Sequence, residues 1–183
     1  IFKTNIYPDG DSFELKKSLA RKFRLKAEQI LCGNGSDDIL SIIAQSFSKE
    51  NSEVICSEFG FVYYPIIAKA VGFKVVTAKS KNLGISCENI IKEIKKKTKI
   101  IFLANPNNPT GTIIFRDELD NFLSKVPENI IVVIDGAYSE FITDERYSDG
   151  FGFVNKYNNL IITRTFSKIF ALESTNDFLG PII

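Results

Sequence analysis

The sequence predicts a three-layer α/β/α fold, in which helices cover both faces of a mostly parallel sheet. Runs of β-branched residues, such as those at 130–135 and 160–163, have the continuous apolar character of strands that are buried on both faces. Amphipathic segments with helical spacing separate these runs. A chain of 183 residues is long enough for one domain to bury a core of its own.

The predicted elements follow one another with short connections. In the first helix, Leu15, Leu19 and Phe23 recur at four-residue spacing, and Asp11 and Ser12 are its candidate caps. The later elements are an apolar run at 30–32, a helix with Ile39, Ile42, Ile43 and Phe47 on one side, a strand at 53–56, a helix at 61–71, a strand at 74–77, a lysine-rich helix around Ile90, Ile91 and Ile94, and strands at 99–104, 130–135 and 160–163. Parallel sheets bind ligands beyond the carboxyl ends of their strands, so the polar loops after the strands are the candidate sites.

Composition excludes several classes of function. The chain has 23 Lys and Arg against 22 Asp and Glu, a balance that points to neither nucleic acid nor a membrane surface as partner. It has no histidine, which excludes Ser-His and Cys-His hydrolases and most zinc sites, so no metal is expected. Its three cysteines, Cys32, Cys56 and Cys87, match neither a disulfide framework nor a metal site and favour a cytoplasmic protein.

The loop GNGSD at 33–37 is a candidate phosphate site. Its two glycines allow a tight turn. The helix that follows offers the free amides of its first turn, around Ser36 and Asp37, and the positive end of its dipole to an anion. An ordinary strand-to-helix turn with Ser36 as N-cap explains the same residues, and the loop alone does not decide between the two interpretations.

The loop NPNNPTG at 105–111 directly follows a predicted strand. Its prolines fix the backbone on either side of two asparagines, so an amide side chain is held rigidly at the edge of the sheet. A plain loop uses the same residue types, but this order is hard to obtain by chance. We therefore expect a ligand-binding asparagine in this loop.

Two more strand ends carry groups that suit a cofactor. Asp135 can pair with a protonated ring nitrogen, and Tyr138 can reach the same ligand; the alternative is a turn-forming Asp with a half-buried Tyr. Lys168, in the loop RTFSK at 164–168, can form a Schiff base, although most lysines are solvated surface charges. All these groups together match the requirements of pyridoxal phosphate (PLP), namely an anion site, a carboxylate for the ring nitrogen, donors for the phenolic oxygen and an amine for the aldehyde.

The series GNGSD, NPNNPTG, DGAY and TFSK, in this order and spacing, resembles the large domain of the fold-type I PLP-dependent aminotransferases. Within that family the chain is most similar to the histidinol-phosphate aminotransferases. The tripeptide Tyr7-Pro8-Asp9 and the stretch SEFGFVYYPIIAKAVG at 57–72 carry this closer similarity. The resemblance extends from about Tyr7 to Leu172.

The resemblance implies a role for each matching residue. Lys168 would bind the aldehyde of the cofactor and later move a proton between substrate and cofactor, and Asp135 would keep the pyridine nitrogen protonated. Asn108 and Tyr138 would hydrogen-bond the phenolic oxygen. Phe61 would stack on the ring, where the alternative is a plain core aromatic. The phosphate would be bound by the backbone amides of Ser36 and Asp37, by the hydroxyls of Thr165 and Ser167, and by Tyr7 of the partner subunit.

The implied reaction is transamination between an amino donor and a 2-oxo acid. In the histidinol-phosphate subfamily these would be L-histidinol phosphate and 2-oxoglutarate, used in histidine biosynthesis by a cytoplasmic homodimer. Two alternatives stay open. One is another PLP enzyme of this fold, such as a decarboxylase, a lyase or another amino acid aminotransferase, and the other is an inactive truncated remnant. A dinucleotide-binding dehydrogenase is disfavoured because GNGSD lacks the GxGxxG order.

The chain also departs from the family pattern. Residues 1–172 are expected to form an incomplete large domain, residues 173–183 an atypical tail, and the C-terminal small domain is expected to be absent. The sequence starts at Ile1 and contains no methionine, which favours an internal fragment. Eight residues past the lysine, where the family has an arginine for the cofactor phosphate, this chain has Asn176.

Overall fold

The computed structural model of the chain describes residues 9–170 and contains one sheet of five strands. The strands are β1 (Glu53–Ser57), β2 (Lys74–Ala78), β3 (Thr98–Ala104), β4 (Ile131–Asp135) and β5 (Leu160–Thr163). The helices are α1 (Phe13–Phe23), α2 (Gly35–Phe47), α3 (Tyr63–Ala70), α4 (Cys87–Glu93) and α5 (Arg116–Leu123), with short 3-10 helices at Ala27–Gln29, Ser139–Phe141 and Phe151–Phe153. None of the helices within residues 9–170 has both the length and the apolar character needed to cross a membrane.

The two faces of the sheet are covered by different helices. In β3, Ile100 and Phe102 pack with side chains of α2 and α3, whereas Ile101 and Leu103 pack with side chains of α4 and α5. All neighbouring strands are parallel. These features confirm the predicted three-layer α/β/α fold. They also explain why the central strands are apolar at every position, since both faces of each strand are buried.

The predicted strands are confirmed, and each boundary differs from the prediction by no more than one residue. The apolar run at 30–32 forms no strand, and only Cys32 makes an isolated bridge. Ile30 packs instead against Leu19 of α1, in a small cluster outside the sheet. The helix predicted at 61–71 begins at Tyr63, which leaves Phe61 in the loop before it.

The cap of α1 differs from the prediction. Ser12 occupies the N-cap position in a left-handed conformation and makes no side-chain capping bond. The carboxylate of Asp9 accepts hydrogen bonds from the backbone N–H groups of Phe13 at 2.8 Å and Asp11 at 3.1 Å. These two bonds lower the pKa of Asp9. Asp9 therefore takes the role predicted for Asp11 and Ser12, because its two oxygens reach donors that have no partner inside the helix.

The strand order β2-β1-β3-β4-β5 places a topological switch point between β1 and β3. From β1 the chain crosses to β2 on one side, and then returns to β3 on the other side of β1. The loops that follow β1 and β3 therefore leave the sheet in opposite directions and open a crevice at its carboxyl edge. Parallel sheets of this kind bind their ligands in such a crevice.

Gly150 lies where a side chain has no room, so it provides a test of the core. Its φ is 87°, and a Cβ there would lie 2.6 Å from Cδ1 of Ile162 in β5. We expect Gly150→Ala to lower the free energy of unfolding by about 2 kcal/mol, because it adds left-handed strain and a core clash. Urea denaturation measures the change. Gly152→Ala is the matched control, since a Cβ at Gly152 has no neighbour within 4 Å. Equal losses in the two variants would contradict the prediction.

Candidate active site

A pocket at the switch point brings most of the predicted site residues together. It lies between the first turn of α2 and the loops that follow β1, β3, β4 and β5. We name it the switch-point pocket, and the residues that line it are Ser36, Asp37, Phe61, Ala104, Pro106, Asn108, Asp135, Ala137, Tyr138 and Lys168. Parallel strands explain this convergence, because the carboxyl ends of all five strands lie at one edge of the sheet.

Asp135 is the buried carboxylate of the pocket, with 5% of its surface exposed. It ends β4, and it accepts hydrogen bonds from the Tyr64 hydroxyl at 2.9 Å, the Ala137 N–H at 3.1 Å and the Thr163 hydroxyl at 3.3 Å. Burial raises the pKa of Asp135, and the three donors oppose that rise. The donors stabilise the charged form and fix the orientation of the carboxylate.

Tyr64 is a site residue that the sequence analysis missed. Its ring stacks on Phe102 of β3, with centroids 5.1 Å apart, and meets Phe61 edge-on at 5.4 Å. Burial, followed by the charge of Asp135, raises the pKa of Tyr64 well above its usual range, so the hydroxyl remains a donor. Tyr64 thus contacts the pocket aromatic and the pocket carboxylate at once. The available signal was its place three residues after Phe61, since a buried tyrosine hydroxyl needs a polar partner.

Replacing Tyr64 with phenylalanine tests this contact. We expect Tyr64→Phe to lower the free energy of unfolding by about 1–3 kcal/mol, because the buried Asp135 carboxylate loses a donor. The loss should be largest at pH values above the pKa of Asp135 and should shrink as the pH falls through it, since the hydroxyl stabilises the charged form. Chemical denaturation across pH measures both. Tyr63→Phe is the control, because the Tyr63 hydroxyl bonds Ser41 at 2.9 Å instead; the same pH dependence in both variants would contradict the assignment.

Lys168 enters the pocket from the loop after β5. Its Nζ lies 5.7 Å from the centre of the Tyr138 ring, and the residue is exposed. Its charge also acts on Asp37. Burial raises the pKa of the Asp37 carboxyl, and the positive charge of Lys168 opposes that rise. The amine therefore lies within electrostatic reach of both the loop after β4 and the first turn of α2.

The first turn of α2 lines the pocket with Ser36 and Asp37. Gly35 begins the helix with φ 80°, a conformation that glycine adopts without strain. Asn34 occupies the N-cap position, and its N–H donates to Oδ2 of Asp38 at 2.9 Å. The alternative of Ser36 as N-cap is therefore wrong. The N–H groups of a first turn have no partner inside the helix, so this turn can bind an anion.

Two of the predicted phosphate ligands, Thr165 and Ser167, do not line the switch-point pocket. The hydroxyl oxygens of Thr165 and Ser167 lie 2.8 Å apart and bond each other, and Thr165 is buried. Arg164 anchors the start of this loop through ion pairs with Glu140 and, at 3.5 Å, with Asp149. Tyr7 lies outside the described residues, as do Asn176 and the predicted tail at 173–183.

Sequence comparison agrees with the geometry of the pocket. The family model "Aminotransferase class I and II" matches residues 3–174. The chain is 44% identical over 170 residues to histidinol-phosphate aminotransferase 2 of Haemophilus influenzae (strain 86-028NP), an alignment that covers 93% of this chain and 46% of that protein. It is also 44% identical over 168 residues to the histidinol-phosphate aminotransferase of Pelagibacter ubique, with 92% and 47% covered.

Solved structures show the same fold. The histidinol-phosphate aminotransferase of Sinorhizobium meliloti, crystallised in complex with pyridoxal-5'-phosphate, superposes with a TM-score of 0.86 at 26% identity, over 92% of this chain and 46% of that chain. The enzyme of the same name from Clostridium acetobutylicum superposes with a TM-score of 0.80 at 30% identity, over 91% and 48%.

The chain spans about half the length of the curated relatives it matches. Every residue that lines the switch-point pocket lies within residues 3–174, the part of the chain that the family model matches. The chain belongs to the family of class I and II aminotransferases.

Proposed function

We propose that this chain is the cofactor-binding part of a PLP-dependent aminotransferase that transfers an amino group from L-histidinol phosphate to 2-oxoglutarate. The observation that carries the proposal is the convergence of an amine, a buried carboxylate, an amide and a phenol in the switch-point pocket. The names of the similar proteins from Haemophilus influenzae and Pelagibacter ubique support the choice of substrate.

The chemistry of the pocket fits PLP. Asp135 is held by three donors and is nearly inaccessible to water, which suits a carboxylate that pairs with a positively charged ring nitrogen. The first turn of α2 suits a phosphate group. Lys168 supplies the only amine that lines this pocket among residues 9–170. When bound, PLP supplies an electron sink that stabilises negative charge at the α-carbon of an amino substrate.

The residues of this chain then have separate tasks. Lys168 would bind the aldehyde of the cofactor and would move the proton at the α-carbon of the substrate. Asp135 would keep the ring nitrogen protonated, and Asn108 and Tyr138 would donate hydrogen bonds to the phenolic oxygen. Phe61 would stack on the ring and exclude water from it. The phosphate would be bound by the N–H groups of Ser36 and Asp37, which line the pocket. The hydroxyls of Thr165 and Ser167, which bond each other and do not line the pocket, and Tyr7 of the partner subunit are proposed as its further ligands.

The assembly and the location of the protein are part of the proposal. A homodimer is supported by two exposed apolar residues near Phe61. Val62, just before α3, is 66% exposed, and Ile66, within α3, is 53% exposed. A cytoplasmic location is supported by the free thiols of Cys32, Cys56 and Cys87. Residues 1–172 form the large domain in this proposal, and the amino donor and the 2-oxo acid are its small-molecule partners.

Formation of glutamate tests the proposed reaction. We expect the purified chain, supplied with PLP, L-histidinol phosphate and 2-oxoglutarate, to form glutamate, because the amino group lost by the donor is transferred to the 2-oxo acid. Chromatography of labelled 2-oxoglutarate measures the product. The control omits the amino donor. No glutamate, with the L-histidinol phosphate unconsumed, would contradict this reaction. Release of carbon dioxide from an amino acid supplied in its place, again without glutamate, would favour a decarboxylase, because L-histidinol phosphate has no carboxyl group to lose.

A further inference from the structure

Asn107 links the two loops that enclose the switch-point pocket. Its side chain is buried, with 4% of the residue exposed, and its Nδ2 donates to the carbonyl oxygen of Phe59 at 2.9 Å and to the hydroxyl of Thr110 at 2.7 Å. Phe59 lies in the loop after β1, 48 residues earlier in the chain. The link therefore crosses the crevice between β1 and β3.

The orientation of this amide follows from its partner. A backbone carbonyl only accepts hydrogen bonds, so the nitrogen of the amide must face Phe59. The Oδ1 atom of Asn107 is buried and has no hydrogen-bond partner among residues 9–170. An unpaired buried oxygen is unfavourable for folding. The side chain therefore acts as a hydrogen-bond donor, chiefly to the loop across the crevice.

The neighbours of the linked residues are pocket residues. Phe61 follows Phe59 by two positions, and Asn108 directly follows Asn107; both line the switch-point pocket. The backbone of Asn107 is fixed as well, since its N–H donates to the Thr112 carbonyl at 2.8 Å and its carbonyl accepts from Gly111 at 2.8 Å. A rigid donor thus ties the wall that carries Phe61 to the wall that carries Asn108.

We propose that Asn107 is a positioning residue, which sets the separation of Phe61 and Asn108 and thereby the affinity of the pocket for PLP. This inference rests on the proposed function of the pocket. Asn107 itself does not line the switch-point pocket. Its effect passes through the two neighbouring residues, whose relative position depends on the donated bond to Phe59.

Substitution by aspartate tests the link. Asn107→Asp keeps the size of the side chain, removes both donors and places a carboxylate against the Phe59 carbonyl. We expect the dissociation constant for PLP to rise about tenfold, and the absorbance maximum of bound PLP to shift, because the groups around the ring move. Absorbance titration of the folded chain with PLP measures both. Asn107→Ala removes the donors without adding charge and keeps the test valid if the aspartate variant unfolds.

Asn159→Asp is the matched control. Asn159 is a second buried asparagine that donates to two backbone carbonyls, those of Pro127 at 3.2 Å and Ile130 at 2.7 Å, at the opposite edge of the sheet. The Asn159→Asp variant should be less stable than the unmodified chain, but its affinity for PLP and the absorbance spectrum of the bound PLP should be unchanged. If the chain binds PLP and the variants at 107 bind it as tightly as Asn159→Asp, the positioning role is overturned and the proposed function stands. If the folded unmodified chain takes up no PLP, both proposals are overturned.

Discussion

Lys168→Ala is expected to lower the rate of amino transfer by on the order of 10⁴-fold, because the variant has no amine to bind the cofactor aldehyde or to move the substrate proton. Lys168 is the only amine among the described residues that lines the switch-point pocket. It is exposed and lies in the loop after β5, so its removal should leave the free energy of unfolding nearly unchanged. Glutamate formation measures the rate, and urea denaturation measures the stability.

Lys125→Ala is the control for the loss of a positive charge. Lys125 is also exposed, but it lies beside α4 and α5 and does not line the switch-point pocket. Its replacement should leave amino transfer unchanged. A Lys168→Ala variant that retains the rate of the unmodified chain would show that another residue binds the aldehyde.

Asp135→Asn is expected to lower the rate of amino transfer by about 10²- to 10³-fold, because a neutral amide cannot stabilise a positive charge on the ring nitrogen. The two side chains have the same shape, so the effect should come from charge. Steady-state rates of glutamate formation, at saturating substrates and PLP, measure the change. Retention of the full rate would contradict the role of Asp135 at the ring nitrogen.

The pH dependence of stability tests the effect of burial on the charge of Asp135 in the absence of PLP. Burial raises the pKa of Asp135 in the folded protein, so folding favours its protonated form. The stability contributed by that form is present below the pKa of an unfolded aspartate and is lost as the pH rises through the higher folded pKa. Without PLP, the unmodified chain should therefore lose stability in that interval relative to Asp135→Asn. Urea denaturation at several pH values measures the difference, and parallel pH profiles would contradict the shift.

The sheet and the lining of the pocket were predictable from the sequence because both depend on local patterns. Strands buried on two faces leave continuous β-branched runs, as at 160–163, and parallel strands bring their following loops to one edge. Asp135 could be named because it ends such a run, and Lys168 because it lies in the loop that follows one. Asn108 could be named from the order of residues in its loop.

The contacts between distant segments could not be predicted in the same way. The bond from Tyr64 to Asp135 joins residues 71 positions apart, and the bond from Asn107 to Phe59 joins residues 48 positions apart. Each depends on how a loop or helix packs on the sheet, which composition and periodicity do not encode. The side-chain cap of α1 was also assigned wrongly, although it is a local contact between Asp9 and Phe13. The carboxylate of Asp9 reaches the helix through a turn whose conformation depends on local backbone geometry.

Covalent attachment of PLP to the chain is the most direct test of its binding at Lys168. The folded chain would be mixed with PLP, reduced with borohydride, digested and mapped by peptide mass, with Lys168→Ala treated in parallel. We predict a pyridoxyl group on the peptide that contains Lys168, and no such group in the variant. Folded chain with no pyridoxyl group, or with the group on a different lysine, would contradict the assignment of the switch-point pocket as the cofactor site.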